Sequence, residues 1–157
     1  MTNGYTRGQI AAHWLTVALI AVAFFTHEQM KDAWRAVERG GTAETPILHI
    51  AAGIGLLVLS LWRVALRLKH GAPPAPAGTS PLMHVAANLG HLALYGLILA
   101  LPLAGMAAWF LGFEEAGEVH ETLWTALWIV ALIHIAAALY HQFVLKDGLI
   151  RRMIRPG

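Results

Sequence analysis

The sequence predicts an all-α integral membrane four-helix bundle, and three observations lead to that prediction. Hydrophobic residues make up 57% of the 157 residues and charged residues only 13%, whereas an ordinary globular chain carries roughly 25% charged residues. Four apolar runs come close to or exceed the length of about 20 residues that crosses a bilayer as a helix. Lipid admits only helices or closed barrels, and runs of this length are helical. We therefore expect one transmembrane domain over residues 1–157.

The four predicted spans are separated by segments that cannot continue a transmembrane helix. The spans are Gln9–His27, Ile47–Leu68, Val85–Leu111 and Val119–Leu145. Between them lie a charged stretch at 31–45, a segment at 71–81 that contains four prolines, and a predicted short turn at 112–117. The first span follows Arg7 as a secretory signal would, but it leads into polar residues at His27 rather than into a small-residue cleavage site. We interpret it as a retained helix.

Lysine and arginine are distributed unevenly beside these spans. Eight lie at one membrane face: Arg7, Arg63, Arg67, Lys69, Lys146, Arg151, Arg152 and Arg155. Only Lys31, Arg35 and Arg39 lie at the other face, together with all of the acidic residues except Asp147. The positive-inside rule therefore predicts that both termini are cytoplasmic. The opposite face is net acidic.

The chain contains no cysteine and nine histidines. The absence of cysteine excludes disulfides, thiolate metal sites and cysteine-held iron–sulfur clusters. It also excludes covalent haem attachment through a Cys-x-x-Cys-His motif. The sequence has no glycine-rich nucleotide-binding loop, and we expect no nucleic-acid partner. An intramembrane histidine is costly without a partner, so the histidines carry most of the functional information.

Histidine spacing predicts two haem sites stacked across the membrane. His120 and His134 are 14 residues apart on the last span, so they share a helix face about 21 Å apart. Haem iron accepts two axial imidazoles, and a four-helix bundle can hold the macrocycle between facing helices. His13 matches His134 in depth. Either His49 or His27 matches His120, and the spacing alone leaves both schemes open.

Other residues near these histidines suit the same chemistry. Gly53 lies one turn after His49 and would let a macrocycle approach the backbone, although close helix packing would also account for it. Arg63, 14 residues after His49, could neutralise a haem propionate or act as a positive-inside anchor. Four residues near the cytoplasmic surface predict a quinone pocket, although each alone could be an interfacial side chain. They are His84, His91, Tyr95 and His141.

Taken together, these landmarks resemble the bacterial cytochrome b561 family over nearly the whole chain. They comprise Tyr5-Thr6-Arg7, His13-Trp14, His49 with Gly53-Ile54, Arg63, Leu89-Gly90-His91 with Tyr95, His120-Glu121-Thr122-Leu123, His134 with Ala136-Ala137-Ala138-Leu139, and Lys146-Asp147. The resemblance implies a di-haem cytochrome b domain in the bacterial inner (cytoplasmic) membrane, with two non-covalent haem b groups. Its ligand pattern falls on His13, His49, His120 and His134, which favours His49 over His27.

The resemblance also implies electron transfer from a periplasmic donor to ubiquinone. Some members resemble a superoxide oxidase, that is, a superoxide:ubiquinone oxidoreductase. Related cytochromes are instead the membrane subunit or partner of a periplasmic dehydrogenase or cytochrome c. Two features depart from the superoxide-oxidising pattern, namely the short segment at 112–118 and the net acidic outer face. A third class, a non-redox membrane protein, would be colourless when purified.

Overall fold

The computed structural model describes residues 4–76 and 78–157, which form five α-helices and two short helical segments. The α-helices are α1 (Arg7–Phe25), α2 (His27–Glu38), α3 (Ile47–His70), α4 (Pro81–Leu111) and α5 (Glu114–Tyr140). A π-helical segment, His141–Leu145, extends α5, and a short 3-10 helix covers Ile150–Met153. Helices α1, α3, α4 and the extended α5 are long and apolar enough to cross a membrane. The predicted all-α fold with four spans is confirmed.

The boundary of the first span differs from the prediction. Helix α1 ends at Phe25, and His27 begins the separate helix α2 instead of ending the span. Thr26 lies between them; its hydroxyl donates to the Val22 carbonyl at 2.7 Å, and its own carbonyl accepts from the Met30 amide at 3.2 Å. Thr26 therefore ends one helix and begins the next, which apolar spacing alone does not reveal.

The boundaries of the last two spans also differ. Helix α4 begins at Pro81, because the Ser80 side chain accepts a hydrogen bond from the Met83 amide and proline is well suited to the first helical position. Residues 114–117, predicted as a turn, form the first turn of α5. Two glutamates stand there, where the helix dipole favours negative charge. Gly112, with φ +71°, makes the reversal between the two helices.

The spanning helices pack in the order α1, α3, α4, α5. The extensive contacts in the described part of the chain are those of α1 with α3, α3 with α4, and α4 with α5. Helix α5 makes no comparable contact with α1 or α3. A small buried core consists of Leu56, Ile98, Leu101 and Leu127. Most other large apolar side chains of the spans are exposed, as a lipid-facing surface requires.

Tyr5, near the start of the described residues, and Gly157 lie at the same end of the bundle, which we call the terminal end. The Trp14 indole donates to the Met153 carbonyl at 2.7 Å, and the Gly157 amide donates to the Tyr5 carbonyl at 3.4 Å. The Arg152 guanidinium reaches the Pro74 carbonyl at 2.6 Å, so the loop between α3 and α4 belongs to this end too. The opposite end, with α2 and the turn between α4 and α5, is called the distal end.

One buried hydrogen bond compensates for a proline inside α4. Pro102 has no amide proton to donate to the carbonyl of Ile98 one turn earlier. Ser60 of α3 is fully buried, and its hydroxyl donates to that carbonyl at 3.5 Å. A backbone group left without a partner in hydrocarbon costs several kcal/mol, so Ser60 couples α3 to α4 at the middle of the bundle.

We expect Ser60→Ala to destabilise the protein by about 1 kcal/mol, since the bond is long and the carbonyl would lose its partner from α3. Thermal melting in detergent measures the effect. Thr125→Ala is the matched control, because its hydroxyl donates to the Glu121 carbonyl of its own helix on an exposed face. Equal melting temperatures for the two variants would contradict the proposed coupling.

Candidate functional site

The residues that bear on function recur every seven positions along the spanning helices, so on each helix they share a face. A terminal level contains His13, Arg63, His91 and His134. A middle level contains Ile20, Leu56, Ile98 and Leu127, of which the last three are buried. A distal level contains His49, Gly105 and His120. Successive levels are about 10 Å apart along a helix. Two polar levels are therefore separated by an apolar layer.

The distal level brings two predicted ligands face to face. The ring centroids of His49 and His120 are 6.3 Å apart, with the ring planes at 69°. Metal–imidazole nitrogen bonds are about 2 Å long, so this separation suits one metal atom between the two rings. The histidines belong to α3 and α5, which do not pack closely.

Both distal imidazoles are oriented by hydrogen bonds from Nδ1. In His120 this atom lies 2.8 Å from the Leu101 carbonyl oxygen. In His49 it lies 3.2 Å from the Ala23 carbonyl and 3.3 Å from the Thr26 hydroxyl. A carbonyl only accepts, so each Nδ1 carries the proton and each Nε2 keeps a free lone pair. Histidines that bind metal commonly have this arrangement.

Gly105 determines how closely His120 approaches α4. A Cβ atom at this position would lie 2.8 Å from Nδ1 of His120 and 2.9 Å from its Cε1. The imidazole therefore packs directly on the helix backbone, where it reaches the Leu101 carbonyl. Our sequence reasoning missed Gly105. The signal available was its position two heptads after His91, which places it at the distal level.

A cavity of about 460 Å³ opens beside this pair at the distal end. That volume lies within the roughly 300–1,000 Å³ usual for small-molecule sites. His49, Gly105 and His120 all line it. One face of α2 covers the cavity with side chains at helical spacing: His27, Met30, Lys31, Trp34, Arg35 and Glu38. Of the three cations predicted on this face, Lys31 and Arg35 line the cavity, whereas Arg39 follows the end of α2.

His27, the rival distal ligand, lies in the same cavity. Its ring stacks on Trp124 at a centroid distance of 6.0 Å and is 6.5 Å from the ring of His49. The side chain thus already packs on an aromatic ring. Gly53, the predicted macrocycle contact, has open space where a Cβ would stand.

The four residues of the terminal level, together with the neighbouring Tyr95, were all predicted from the sequence as candidate site residues. Nη2 of Arg63 lies 3.3 Å from Nδ1 of His13, and the guanidinium carbon lies 5.5 Å from the centroid of the Tyr95 ring. The rings of His91 and His134 are 5.4 Å apart. His13 is within electrostatic range of both. The contact of His91 with His134 was not predicted, since His91 was expected in a quinone pocket.

The other two predicted pocket residues lie farther toward the terminal end. His84 is exposed in the first turn of α4, 3.4 Å from the Asn88 amide. His141 begins the π-helical segment and hydrogen-bonds to Asp147. Each is seven residues from a histidine of the terminal level. The four predicted pocket residues therefore do not lie together: His91 and Tyr95 lie near Arg63 and His134, whereas His84 and His141 lie farther toward the terminal end.

The rings of His49 and His120 lie close together at the distal level, and those of His91 and His134 lie close together at the terminal level. Among residues 4–76 and 78–157, no group of three or more His, Cys, Asp or Glu side chains could hold a metal ion. A structural zinc site would need about four such ligands. Two facing imidazoles suit the axial positions of haem iron instead.

Comparison with known proteins agrees with this reading. The family model described as prokaryotic cytochrome b561 matches residues 4–156. Cytochrome b562 of Cereibacter sphaeroides is 41% identical over 98% of this chain and 96% of that protein. The probable superoxide oxidase CybB of Yersinia pestis is 29% identical, with 98% and 97% covered, and cytochrome b561 homolog 1 of Escherichia coli is 28% identical, with 97% of each covered. The chain therefore belongs to the prokaryotic cytochrome b561 family, and it is a membrane electron-transfer protein for which that family implies b-type haem.

Proposed function

We propose that the protein is a di-haem cytochrome that carries electrons across the bacterial inner membrane from a periplasmic donor to ubiquinone. His49 and His120 would hold one haem b at the distal level, and His13 and His134 a second at the terminal level. The main support is the facing pair of His49 and His120, since both rings are anchored through Nδ1 and share one cavity.

Haem, when bound, supplies reversible one-electron chemistry at its iron. The chain itself supplies orientation and space. The Ala23 and Leu101 carbonyls fix the distal rings. The open space at Gly53 suits a macrocycle beside α3. The helices that carry each proposed ligand pair, α3 with α5 and α1 with α5, are not closely packed partners.

Arg63 has a role that depends on the protonation of His13. A guanidinium only donates, so in its present contact His13 accepts through Nδ1. Coordination through Nε2 requires a proton on Nδ1 instead, so Arg63 must then turn to another acceptor. A haem propionate is such an acceptor, and a charge-assisted bond to it would be strong. This supports the prediction that Arg63 neutralises a propionate.

The middle level separates the two proposed haem sites. Leu56, Ile98 and Leu127 are each at most 3% exposed. The proposed ligands on α5 are about 21 Å apart along the helix, and the macrocycles would fill part of that distance. The apolar layer keeps water and protons out of the path, so that electrons alone pass between the levels.

We place the terminal end in the cytoplasm because eight of the lysines and arginines lie there. Ubiquinone would react at this end, near His91 and Tyr95. Arg63 stacks on Tyr95 there, and histidines near an aqueous surface can supply the protons that quinone reduction needs.

The donor would enter at the distal cavity. Four carboxylates line it, those of Glu38, Glu114, Glu118 and Glu121, against the two cations Lys31 and Arg35. This acidic lining favours a basic redox protein over an anionic donor. Superoxide is the second candidate, because a relative of nearly equal coverage is named a probable superoxide oxidase. The alignment with that relative spans 181 positions, more than the 157 residues of this chain, so that relative has residues with no counterpart here. The alignment with cytochrome b562 spans only 157 positions.

Salt dependence distinguishes these donors. We expect electron exchange with a basic c-type cytochrome to slow about tenfold or more as ionic strength rises, because screening removes the attraction. Glu118→Gln should reduce that dependence. Glu44→Gln is the matched control, since Glu44 lies between α2 and α3 and outside the cavity lining. Stopped-flow spectroscopy of the haem bands measures both rates.

The same instrument tests superoxide as the donor. If superoxide is the donor, mixing it with oxidised protein should reduce haem above the spontaneous rate of haem reduction. The rate should rise with salt, because the acidic lining repels the anion and salt screens that repulsion. That result, together with a rate of exchange with cytochrome c that does not depend on salt, would identify superoxide as the donor in place of a basic protein. Haem that accepts electrons from neither probe would contradict a distal entry site.

A further inference from the structure

A histidine–aspartate pair lies at the terminal end, beyond the proposed haem sites. Nδ1 of His141 hydrogen-bonds to a carboxylate oxygen of Asp147, and the two side chains are each 14% exposed. The other carboxylate oxygen accepts from the Leu149 amide at 3.0 Å. Asp147 is the one acidic residue of the chain near this end, where eight cations gather.

The local backbone places the carboxylate beside the imidazole. Residues His141–Leu145 form a π-helix, and Lys146 takes a left-handed conformation with φ 54°. The chain reverses there, and the Asp147 amide donates to the His141 carbonyl at 3.4 Å. A left-handed conformation is unfavourable for a residue with a side chain. π-Helical turns are rare in proteins overall, and those that occur are often found at functional sites.

The charge state of the pair follows from its contacts. Partial burial alone would raise the pKa of Asp147, but hydrogen bonds from His141 and the Leu149 amide, with the charge of Arg152, hold the pKa below its usual value. The carboxylate is therefore ionised at neutral pH. It fixes the proton of His141 on Nδ1 and leaves the lone pair of Nε2 free for another partner. The ring of Tyr140 lies beside the imidazole, with 6.4 Å between the two ring centroids.

The pair lies in line with the terminal level. His141 is seven residues, two turns, beyond His134 on the extended α5. On the antiparallel helix α4, the ring centroid of His91 lies 5.4 Å from that of His134. His84 is likewise two turns from His91, toward the terminal end. His84 and His141 thus occupy the next matched level, between the terminal level and the end of the bundle.

We propose that His141, oriented by Asp147, delivers protons to the quinone that reacts at the terminal end; this rests on the proposed function. Quinone reduction consumes two electrons, which bound haem would supply one at a time, and two protons, which bind the two quinone oxygens. Nε2 of protonated His141 gives a proton toward the quinone and recovers one from water at the terminal surface. The Asp147 carboxylate stays ionised and stabilises the imidazolium. His84 lies at the level through which the proton passes.

The test uses the full haem-loaded chain in detergent. Haem is first reduced, and its oxidation by a water-soluble short-chain ubiquinone is then followed by stopped flow between pH 6 and 9, in H₂O and in D₂O. A positioned proton donor contributes about 10²–10⁴-fold, so His141→Gln should slow oxidation about 100-fold or more. Asp147→Asn should slow it less, and Asp147→Glu should restore most of the rate. Added imidazole should accelerate His141→Ala.

His70→Gln is the matched control, because His70 is exposed at the end of α3 at the same end of the bundle. It should oxidise at the wild-type rate with the wild-type isotope effect. If the pair only fastens the C-terminal segment, the His141 and Asp147 variants should melt at a lower temperature but keep the wild-type oxidation rate per haem, pH profile and isotope effect. That result would overturn the proposal. If quinone fails to oxidise the wild-type haem at all, the proposed acceptor falls and this proposal with it.

Discussion

Replacing His120 with alanine should halve the haem content of the purified protein, and His49→Ala should remove the same haem. The two rings face each other across one proposed site, so losing either would leave that haem held by one histidine instead of two. His13→Ala and His134→Ala should each remove the other haem. We expect the wild-type protein to contain two haems b per chain, extractable with acidified acetone because the chain has no cysteine to attach them covalently. A pyridine haemochrome assay and the reduced-haem absorption bands count them.

His27→Ala and His91→Ala are the matched controls, since each of these rings lies beside a proposed ligand. His27 is 6.5 Å from His49, and His91 is 5.4 Å from His134. Both variants should keep two haems. If His27→Ala lost a haem while His49→Ala kept both, His27 would be the distal ligand. Likewise, if His91→Ala lost a haem while His13→Ala kept both, His91 and not His13 would be the terminal ligand.

Gly105→Ala should weaken the distal haem selectively and leave the terminal haem in place. The new methyl group would stand 2.8 Å from Nδ1 of His120 and displace the ring from the Leu101 carbonyl. Loss of such an orienting partner lowers metal affinity about 10–100-fold. Haem titration of the purified protein, read from the absorption spectrum, measures the affinity of each site.

Gly96→Ala separates this effect from that of adding alanine to a helix. Gly96 lies on the same helix, and a Cβ there would meet no atom within 4 Å. Alanine favours a helix by roughly 1 kcal/mol over glycine, and both variants should gain this. Gly96→Ala should therefore keep both haems at wild-type affinity. Equal losses in the two variants would mean that a change in helix stability, and not displacement of His120, weakens haem binding.

Much of the fold could be predicted from the sequence because lipid constrains it so strongly. A long apolar run must be a helix, since the backbone has no other partner in hydrocarbon. The four spans follow from that rule, and the end of α4 at Leu111 was predicted to the residue. The ends that were missed depend on particular side chains. The Thr26 hydroxyl bond and the Ser80 cap fix residues that hydropathy does not mark.

The site was predictable to the extent that helical periodicity fixes depth. Residues 14 apart share a helix face, so His120 and His134 could be assigned to two levels from the sequence. Periodicity does not say which face of one helix meets which face of another. The sequence therefore left His27 and His49 as alternatives and gave no sign that His91 would contact His134.

By itself the sequence determined the membrane location of the chain, its four spans and the two depths of the candidate ligand histidines, because hydropathy and helical period are local properties. Only the tertiary structure decided which side chains meet. The pairing of His49 with His120, the close approach at Gly105 and the bond from Ser60 to the Ile98 carbonyl all join residues of different helices. The physical reason is that such contacts depend on how the helices rotate and pack against one another, and packing is a property of the whole bundle.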